Sequence, residues 1–226
     1  MSKQIHQRNI SAETTLTDQP SMQPQAAYKM RTLILASSSN YRKTLLERLG
    51  LPFRCQAPHI NEEALPGEDA ITLACRLARE KAAALKESCP AALIIGSDQV
   101  AECAGRLLGK PGSTATAEEQ LSFCSGKRVN FHTGLSVLNS ENGQQITQCE
   151  TYSVLFRPLT SAQISFYVAK EKPLDCAGSF KAEGLGIALF EKMEGSDPNS
   201  LVGLPLIRLV SILAEFGVSP LDPPNN

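Results

Sequence analysis

The pattern of apolar and polar positions along the chain alternates between short buried-type runs and amphipathic stretches. An apolar run at residues 33–36 leads through a serine-rich turn into a helix that opens with Arg42 and Lys43. At residues 70–85, apolar side chains recur at helical spacing with charged side chains between them. Strand patterns that alternate with helix patterns in this way predict an α/β fold.

The same alternation continues towards the carboxyl terminus. Residues 91–99 contain an apolar run too short for a helix, which predicts a central strand with Asp98 at its carboxyl end. The other predicted elements are a helix at 115–124, strands at 129–139 and 149–157, a helix at 161–170, and a final helix between Pro205 and Gly217.

Composition limits the class of protein. The chain has 226 residues and a formal net charge of −1, which argues against a large nucleic-acid-binding face. No stretch approaches the roughly 18 apolar residues that a membrane-spanning helix needs. The seven cysteines are scattered and form no C-x-x-C pair, a pattern typical of reduced thiols in a cytoplasmic protein.

The chain is expected to have one folded region with two tails. Residues 1–29 are polar and lack an apolar core of signal-peptide length, so we expect a disordered extension there. The folded region is predicted at residues 30–218, and residues 219–226 are predicted to form a short tail.

The serine-rich turn is the first candidate for chemistry. Unpaired N–H groups at the start of the helix, its positive dipole end and the two cations could together bind a phosphate. Alternatively, Ser38, Ser39 or Asn40 only caps the helix, and the cations are solvated.

Charged residues elsewhere suit the same ligand. Cations at Arg42, Lys81 and Lys110 could neutralise phosphate oxygens. The acids of the same region could hold magnesium or deprotonate a water molecule, and they are Glu62, Glu63, Asp98 and Glu102. For Glu63 and Glu102, an exposed helix face is the favoured interpretation. Ligands of open α/β sheets collect beyond the carboxyl ends of strands, so we expect the serine turn and Asp98 at one crevice. The local sequence leaves open whether Asp98 is a capping group or a site group.

Six short segments, in this order, resemble those of the Maf family of nucleoside triphosphate pyrophosphatases. They are residues 36–42, 61–62, 79–82, 96–99, 109–111 and 200–205. The resemblance implies a two-lobed mixed α/β sheet flanked by helices, similar to inosine triphosphatase, with the nucleotide in a cleft between the lobes. It also implies hydrolysis of the bond between the α and β phosphates, with a divalent cation, Mg²⁺ or Mn²⁺.

The resemblance also assigns roles to individual positions. Asp98 matches the family's proton acceptor. The positions that match phosphate- and metal-handling residues are Ser37, Arg42, Glu62, Lys81 and Lys110. An aspartate often precedes the family's glutamate, but this chain has Asn61 there, so the implied metal ligands are Glu62 and Asp98.

The specificity positions resemble the branch of the family that hydrolyses 7-methylguanosine triphosphate. Tyr41 would attract the cationic methylated purine to its aromatic face. Glu183 would accept hydrogen bonds from the guanine N1–H and 2-amino groups, and Gln99 would touch the base or sugar. Side-chain type alone leaves two alternatives, which are packing of Tyr41 against Leu45 and satisfaction of backbone donors by Glu183.

Two other functions remain open at this point. One is hydrolysis of dTTP or UTP within the same family, and the other is a non-enzymatic role in septum formation or cell division, to which the family has been linked. The joint presence of Asp98, Lys81, Lys110 and Glu62 favours an enzyme that clears modified nucleotides. The expected partner is a nucleoside triphosphate, with no nucleic acid and no membrane, and assembly into a homodimer is left open.

Overall fold

A computed structural model describes residues 31–222 of the chain. The predicted extension at residues 1–29 lies outside the described residues, as does the end of the predicted tail. The strands are β1 (Thr32–Leu35), β2 (Phe53–Cys55), β3 (Ala92–Cys103), β4 (Arg106–Leu108), β5 (Arg128–Asn139), β6 (Gln145–Phe156) and β7 (Phe190–Glu194). The helices are α1 (Asn40–Glu47), α2 (Ala70–Ala83), α3 (Thr114–Cys124), α4 (Ser161–Glu171), α5 (Asn199–Val202) and α6 (Leu206–Glu215), with 3-10 turns at Ala177–Ser179 and Leu185–Leu189.

The seven strands form one mixed sheet, which confirms the predicted fold class. The order is β2-β1-β3-β5-β6-β7, and β4 pairs with β3 beside this path. Strands β2, β1 and β3 are parallel, whereas β5, β6 and β7 each run antiparallel to the preceding neighbour. Among the described residues, no helix has the length and apolar character needed to cross a bilayer.

Side chains fix the starts of the longer helices. Asp69 accepts a hydrogen bond from Thr72 N at 2.8 Å and so caps α2. Thr160 and Gln163 form a reciprocal capping box at the start of α4. These contacts satisfy N–H groups that have no partner within a helix, and they explain why the predicted helices agree with the observed ones.

The predicted carboxyl end of the central strand was wrong. Strand β3 continues past Asp98 to Cys103, because β5 pairs with it residue by residue over this whole length. The polar pair Asp98-Gln99 therefore lies within the strand. The very short strands β2 and β4 and the edge strand β7 were not predicted.

Helix α2 lies directly on two glycines of the sheet. A Cβ atom on Gly96 of β3 would stand 2.1 Å from the carbonyl oxygen of Ala78. A Cβ atom on Gly134 of β5 would stand 2.1 Å from the carbonyl oxygen of Ala74. Any larger residue at either position would force the helix away from the sheet, and with it the side chains that α2 presents near Asp98.

Two hydrophobic cores lie on the face of the sheet that is opposite to α2, one near each end of β3. One packs α1 and α6 against β1 and the first half of β3, around Leu93 and Ile95. The other packs α3 and α4 against the second half of β3, around Ala101 and Cys103. Because side chains alternate along an unbroken strand, these four positions share one face, and the two cores form two lobes with a gap between them.

Candidate active site

A cleft opens where the strand partner of β3 changes. Strand β1 pairs with β3 only as far as Ile95, and β4 begins to pair with it only at Ala101. Between Ile95 and Ala101, β3 has a strand partner on only one side among the described residues, and that partner is β5. The chain that leaves β1 and the chain that leaves β4 both enter this gap, since β1 is parallel and β4 antiparallel to β3.

The cleft has a volume of ≈ 860 Å³. All nine residues singled out from the sequence line it, which are Ser37, Tyr41, Arg42, Glu62, Lys81, Asp98, Gln99, Lys110 and Glu183. The structural reason why these residues meet in one cleft differs from the predicted one. Asp98 reaches the cleft from the unpaired edge of β3, and only the serine turn lies beyond the carboxyl end of a parallel strand.

The serine turn is both a helix cap and a set of open donors. Ser39 caps α1 by accepting from Arg42 N at 3.4 Å, and Ser37 Oγ accepts from Ser39 N at 3.1 Å. The first-turn N–H groups of Asn40 and Tyr41 have no acceptor in the described part of the chain. Capping and anion binding are therefore compatible here, because the cap uses only part of the donor set.

Arg42 is held by one edge of its guanidinium. Its Nε donates to the carbonyl oxygen of Gly203 at 2.8 Å, whereas its Nη1 and Nη2 groups have no acceptor among the described residues. Burial lowers the pKa of Arg42, and the negative charges of Asp98 and Glu62 oppose that effect. A guanidinium remains charged under any physiological condition, so two N–H-bearing groups are available for a phosphate.

Lys81 connects two carboxylates. Its Nζ lies 2.6 Å from Asp98 Oδ1 and 2.8 Å from Glu62 Oε1, and the lysine is only 5 % exposed. Helix α2 presents Lys81 one residue before Ala82, which packs on Gly96 of β3. Close packing of α2 on the sheet thus places this ammonium beside Asp98.

The charge balance around Glu62 favours its ionised form. Burial alone would raise the pKa of Glu62. The hydrogen bond and charge of Lys81, together with the charges of Lys110 and Arg42, lower it overall. Lys110 is exposed on the loop after β4 and also lines the cleft. Three cations and two carboxylates therefore occupy one end of the cleft, which we call the phosphate end.

The opposite end of the cleft is aromatic and acidic. The pKa of the Tyr41 hydroxyl is raised to about 12, first by burial and then by Cys176, Asp175 and Glu183. Burial raises the pKa of the Cys176 thiol to about 12 as well, with Asp175 as the next cause, so the thiol is neutral at pH 7. The negative charge near Tyr41 therefore comes from the two carboxylates. We call this region, formed by Tyr41, Asp175, Cys176 and Glu183, the base end.

Glu183 is not used to satisfy the loop around it. The backbone donor in this glycine-rich loop, Leu185 N, is bonded to Glu171 Oε1 at 3.2 Å. Glu183 is exposed and lines the cleft. The alternative that Glu183 only satisfies backbone donors is therefore wrong, since Glu171 has that role.

The chain resembles known proteins over nearly all of this fold. A model of the family described as Maf-like protein matches residues 32–216. The chain belongs to the Maf family. It is 54% identical over 189 residues to a protein named 7-methyl-GTP pyrophosphatase from Pseudomonas putida, covering 84% of this chain and 98% of that one.

Two further proteins are similar to this chain over most of its length. A protein of the same name from Alcanivorax borkumensis is 55% identical, over 83% of this chain and 95% of that one. Among solved structures, a HAM1 protein from Coxiella burnetii aligns with a TM-score of 0.47 at 16% identity, over 82% of this chain and all of that one. That similarity is too distant to compare the two sites.

Gln99 uses its amide nitrogen for protein contacts in the Maf cleft. Its Nε2 donates to the carbonyl oxygens of Ser200 at 2.6 Å and Leu201 at 3.2 Å, and it lies 3.2 Å from Thr133 Oγ1. The amide nitrogen is thus committed to holding α5 in place. Only the Oε1 atom remains for contact with a base or sugar.

The Maf cleft offers hard oxygen donors to a divalent cation. Glu62 and Asp98 each bond to the same ammonium, so their carboxylates lie close together. Asn61 instead accepts from Glu63 N at 3.0 Å in a local turn. The described residues include no group of three His, Cys, Asp or Glu side chains that could hold a metal alone. Two carboxylates suit Mg²⁺ when substrate phosphates and water complete its shell.

Several residues of the Maf cleft were not found from the sequence. Asp175 and Cys176 line the base end, but a single acid before a cysteine carries no recognisable signal. Ser97 and Thr133 donate to the carbonyl oxygens of Gly203 and Ser200 at 2.9 Å each. The motif at residues 200–205 indicated this segment, but not the strand side chains that hold it.

Proposed function

We propose that this protein hydrolyses the α–β phosphoanhydride of 7-methyl-GTP, giving 7-methyl-GMP and diphosphate. The names of its relatives support the substrate, because these proteins are identical to this chain at more than half of the aligned positions, over nearly their whole length. The proposed role is removal of a modified nucleotide from the cell. A cytoplasmic location and a homodimer remain predictions.

The opposite polarity of the two ends of the cleft is the observation that carries this proposal. Tyr41 and Arg42 are neighbours in the first turn of α1, yet their side chains diverge. Arg42 joins the phosphate end, whereas Tyr41 joins Asp175 and Glu183 at the base end. A 7-methylguanine nucleotide has the matching polarity, since its base is cationic and its triphosphate is anionic. An aromatic face beside carboxylates attracts a cationic base.

Asp98 is the proposed proton acceptor. Lys81 bonds to its Oδ1, and Oδ2 has no partner in the described residues and is free to accept a proton from the attacking water. The side chain is 8 % exposed and borders the cleft, so water and substrate reach it. Geometry within reach of the proton is the first requirement for a general base.

The cations of the phosphate end have the complementary role. Arg42, Lys81 and Lys110 would stabilise the charge that develops on the phosphoryl oxygens and on the leaving diphosphate. The open N–H groups of the serine turn would bind another phosphate oxygen. Phosphoryl transfer depends chiefly on positioning and charge stabilisation, which is what this end supplies.

Glu62 and Asp98 are the proposed ligands of a divalent cation, Mg²⁺ or Mn²⁺. When bound, the ion would neutralise phosphate charge that the three cations leave uncompensated. The lowered pKa of Glu62 extends the range in which this ligand is deprotonated to more acidic pH.

Pyrophosphate release from a substrate panel tests the proposal. The panel contains 7-methyl-GTP, GTP, UTP and dTTP, each with magnesium and with EDTA as the control. We expect the fastest release from 7-methyl-GTP and none with EDTA. Preference for UTP or dTTP would indicate the pyrimidine branch of the family, and no release from any nucleotide would support a non-enzymatic role.

A further inference from the structure

The carbonyl oxygen of Gly203 is a shared acceptor behind the phosphate end. It accepts from Arg42 Nε at 2.8 Å and from Ser97 Oγ at 2.9 Å. Ser97 Oγ also lies 2.9 Å from the carbonyl oxygen of Gly134, and the serine has no exposed surface. A buried hydroxyl with one proton and two carbonyl neighbours therefore links β3, β5 and the end of α5.

Gly203 can present its carbonyl in this way only because it is glycine. Its φ of +113° is a conformation that L side chains rarely adopt. A Cβ atom there would stand 3.4 Å from Arg42 Nε, so the guanidinium packs directly over the glycine backbone. The orientation of the guanidinium plane thus depends on the exact direction of one carbonyl group.

Apart from the bond at Nε, no hydrogen bond of Arg42 within the described residues restrains the guanidinium plane. The described residues offer its Nη1 and Nη2 groups no acceptor, and Arg42 borders the cleft, where mobile water does not fix the direction of these groups. The hydrogen bond at Nε is therefore the one directional restraint on the guanidinium in the described part of the chain. The planar guanidinium forms two parallel hydrogen bonds to a phosphate only when its plane is held in the right orientation.

We propose that Ser97 is a positioning residue that orients Arg42 through the Gly203 carbonyl group. Its hydroxyl fixes the direction of that carbonyl, which in turn directs the Nη groups of Arg42 into the phosphate end. The inference rests on the proposed function, because it gives Arg42 a phosphate to bind. Ser97 itself does not line the cleft, and its one hydroxyl proton is shared between two protein carbonyls.

Removal of the hydroxyl should weaken phosphate recognition and leave base recognition unchanged. For Ser97→Ala, we expect kcat/KM for 7-methyl-GTP to fall about tenfold, within the range of coupling between contacting residues. Calorimetry should show a comparable loss of affinity for inorganic pyrophosphate and no change for the nucleoside 7-methylguanosine. Ser97→Cys, with a weaker donor of similar shape, should lie between the wild type and Ser97→Ala and serves if the alanine variant does not fold.

Ser136→Ala is the matched control. Ser136 is also a fully buried serine of the sheet, but its hydroxyl bonds to Thr147 Oγ1 at 2.8 Å and does not contribute to the cleft. Loss of a buried hydrogen bond should lower the melting temperature in both alanine variants. Only Ser97→Ala should lower affinity for pyrophosphate.

A double-mutant cycle with Arg42→Ala decides the mechanism. If Ser97 acts through Arg42, then Ser97→Ala should change kcat/KM by less than about twofold in the Arg42→Ala background. An equal loss in both backgrounds would overturn the positioning role, as would an equal loss of pyrophosphate affinity in Ser136→Ala. A wild type that releases no pyrophosphate from any triphosphate would instead refute the proposed function.

Discussion

The two ends of the cleft are built on different principles. At the phosphate end, Lys81 and Asp98 are nearly buried and bonded to each other at 2.6 Å, on a helix and a strand that pack without a gap. At the base end, Asp175 and Glu183 are exposed on loops around two short 3-10 turns. The first arrangement restricts motion, whereas the second leaves side chains free to adjust.

In the proposed function, this difference would separate catalysis from the choice of substrate. Any nucleoside triphosphate presents the same phosphates, so the phosphate end can be rigid and still serve every substrate of the class. In the proposed function, the base end distinguishes one base from another, and its exposed carboxylates would do so through charge and a few hydrogen bonds. We therefore expect substitutions at the phosphate end to change the rate for all substrates. Substitutions at the base end should change the ratio between substrates.

Asp98→Asn should have the largest effect. Loss of the proton acceptor should lower turnover about 10³-fold for every nucleotide, within the range for general base catalysis. Nucleotide binding should be retained better than turnover, because asparagine keeps the shape of the side chain and an oxygen that can face the cation, and Lys81 keeps its bond to Glu62. Pyrophosphate release and calorimetry would measure the two quantities. Near-normal turnover would exclude Asp98 as the base.

Lys81→Met should lower turnover about 10²-fold at neutral pH, since the charge it supplies to both carboxylates and to the substrate is lost. Its loss should also raise the pKa of Glu62, because Lys81 is the main group that lowers it. The acid limb of the pH–rate profile should therefore move to higher pH. An unchanged limb would mean that Glu62 does not govern it.

The same variant tests stability against pH. The folded-state pKa of Glu62 lies below its usual value, so ionised Glu62 stabilises the native state above its unfolded pKa. That contribution disappears as the pH falls through the folded pKa. The difference in melting temperature between wild type and Lys81→Met should accordingly narrow below a pH of about 4. A difference that stays constant from pH 7 to pH 3 would contradict this linkage.

The sequence predicts the longer elements of this fold well, for a physical reason. Helix α2 and strand β5 have the regular periodicity that burial of one face imposes, and both were predicted to within two residues. Strand β3 was predicted too short because a polar pair usually marks a strand end. Here the pair lies at an unpaired edge inside the strand, and only its pairing with β5 reveals that.

The site was predictable to a similar degree. Short motifs contain the residues that are proposed to contact the substrate, and all nine candidates line one cleft. The contacts that hold them are not local. Ser97 and Gly203 are 106 residues apart in sequence, and Gln99 is 101 residues from Ser200. No pattern of spacing specifies such pairs, since they depend on how the two lobes meet above β3.

Glu183→Gln should change the preference between substrates without lowering turnover. A glutamine offers one acceptor and one donor where the guanine edge needs two acceptors, so preference for 7-methyl-GTP over UTP should fall about tenfold. Turnover of saturating substrate should change little. The ratio of kcat/KM values measures the effect, with Glu191→Gln, an exposed glutamate outside the cleft, as the control. An unchanged ratio would remove Glu183 from the base end.

Asp175→Asn should have the smallest effect and the most diagnostic salt dependence. Its carboxylate lies near Tyr41 but is exposed, so its attraction for a cationic base is screened by solvent and ions. We expect about a threefold loss of preference for 7-methyl-GTP over GTP at low salt, and a smaller loss at about 0.5 M salt, where the Debye length is short. Asp222→Asn, at an exposed site outside the cleft, should have no effect at either salt concentration.

GTP is the decisive comparison, because it shares the triphosphate and the guanine edge and lacks only the methyl group and its positive charge. If Asp175→Asn changed both substrates equally, the base end would recognise shape alone, and its contrast with the phosphate end would not be electrostatic.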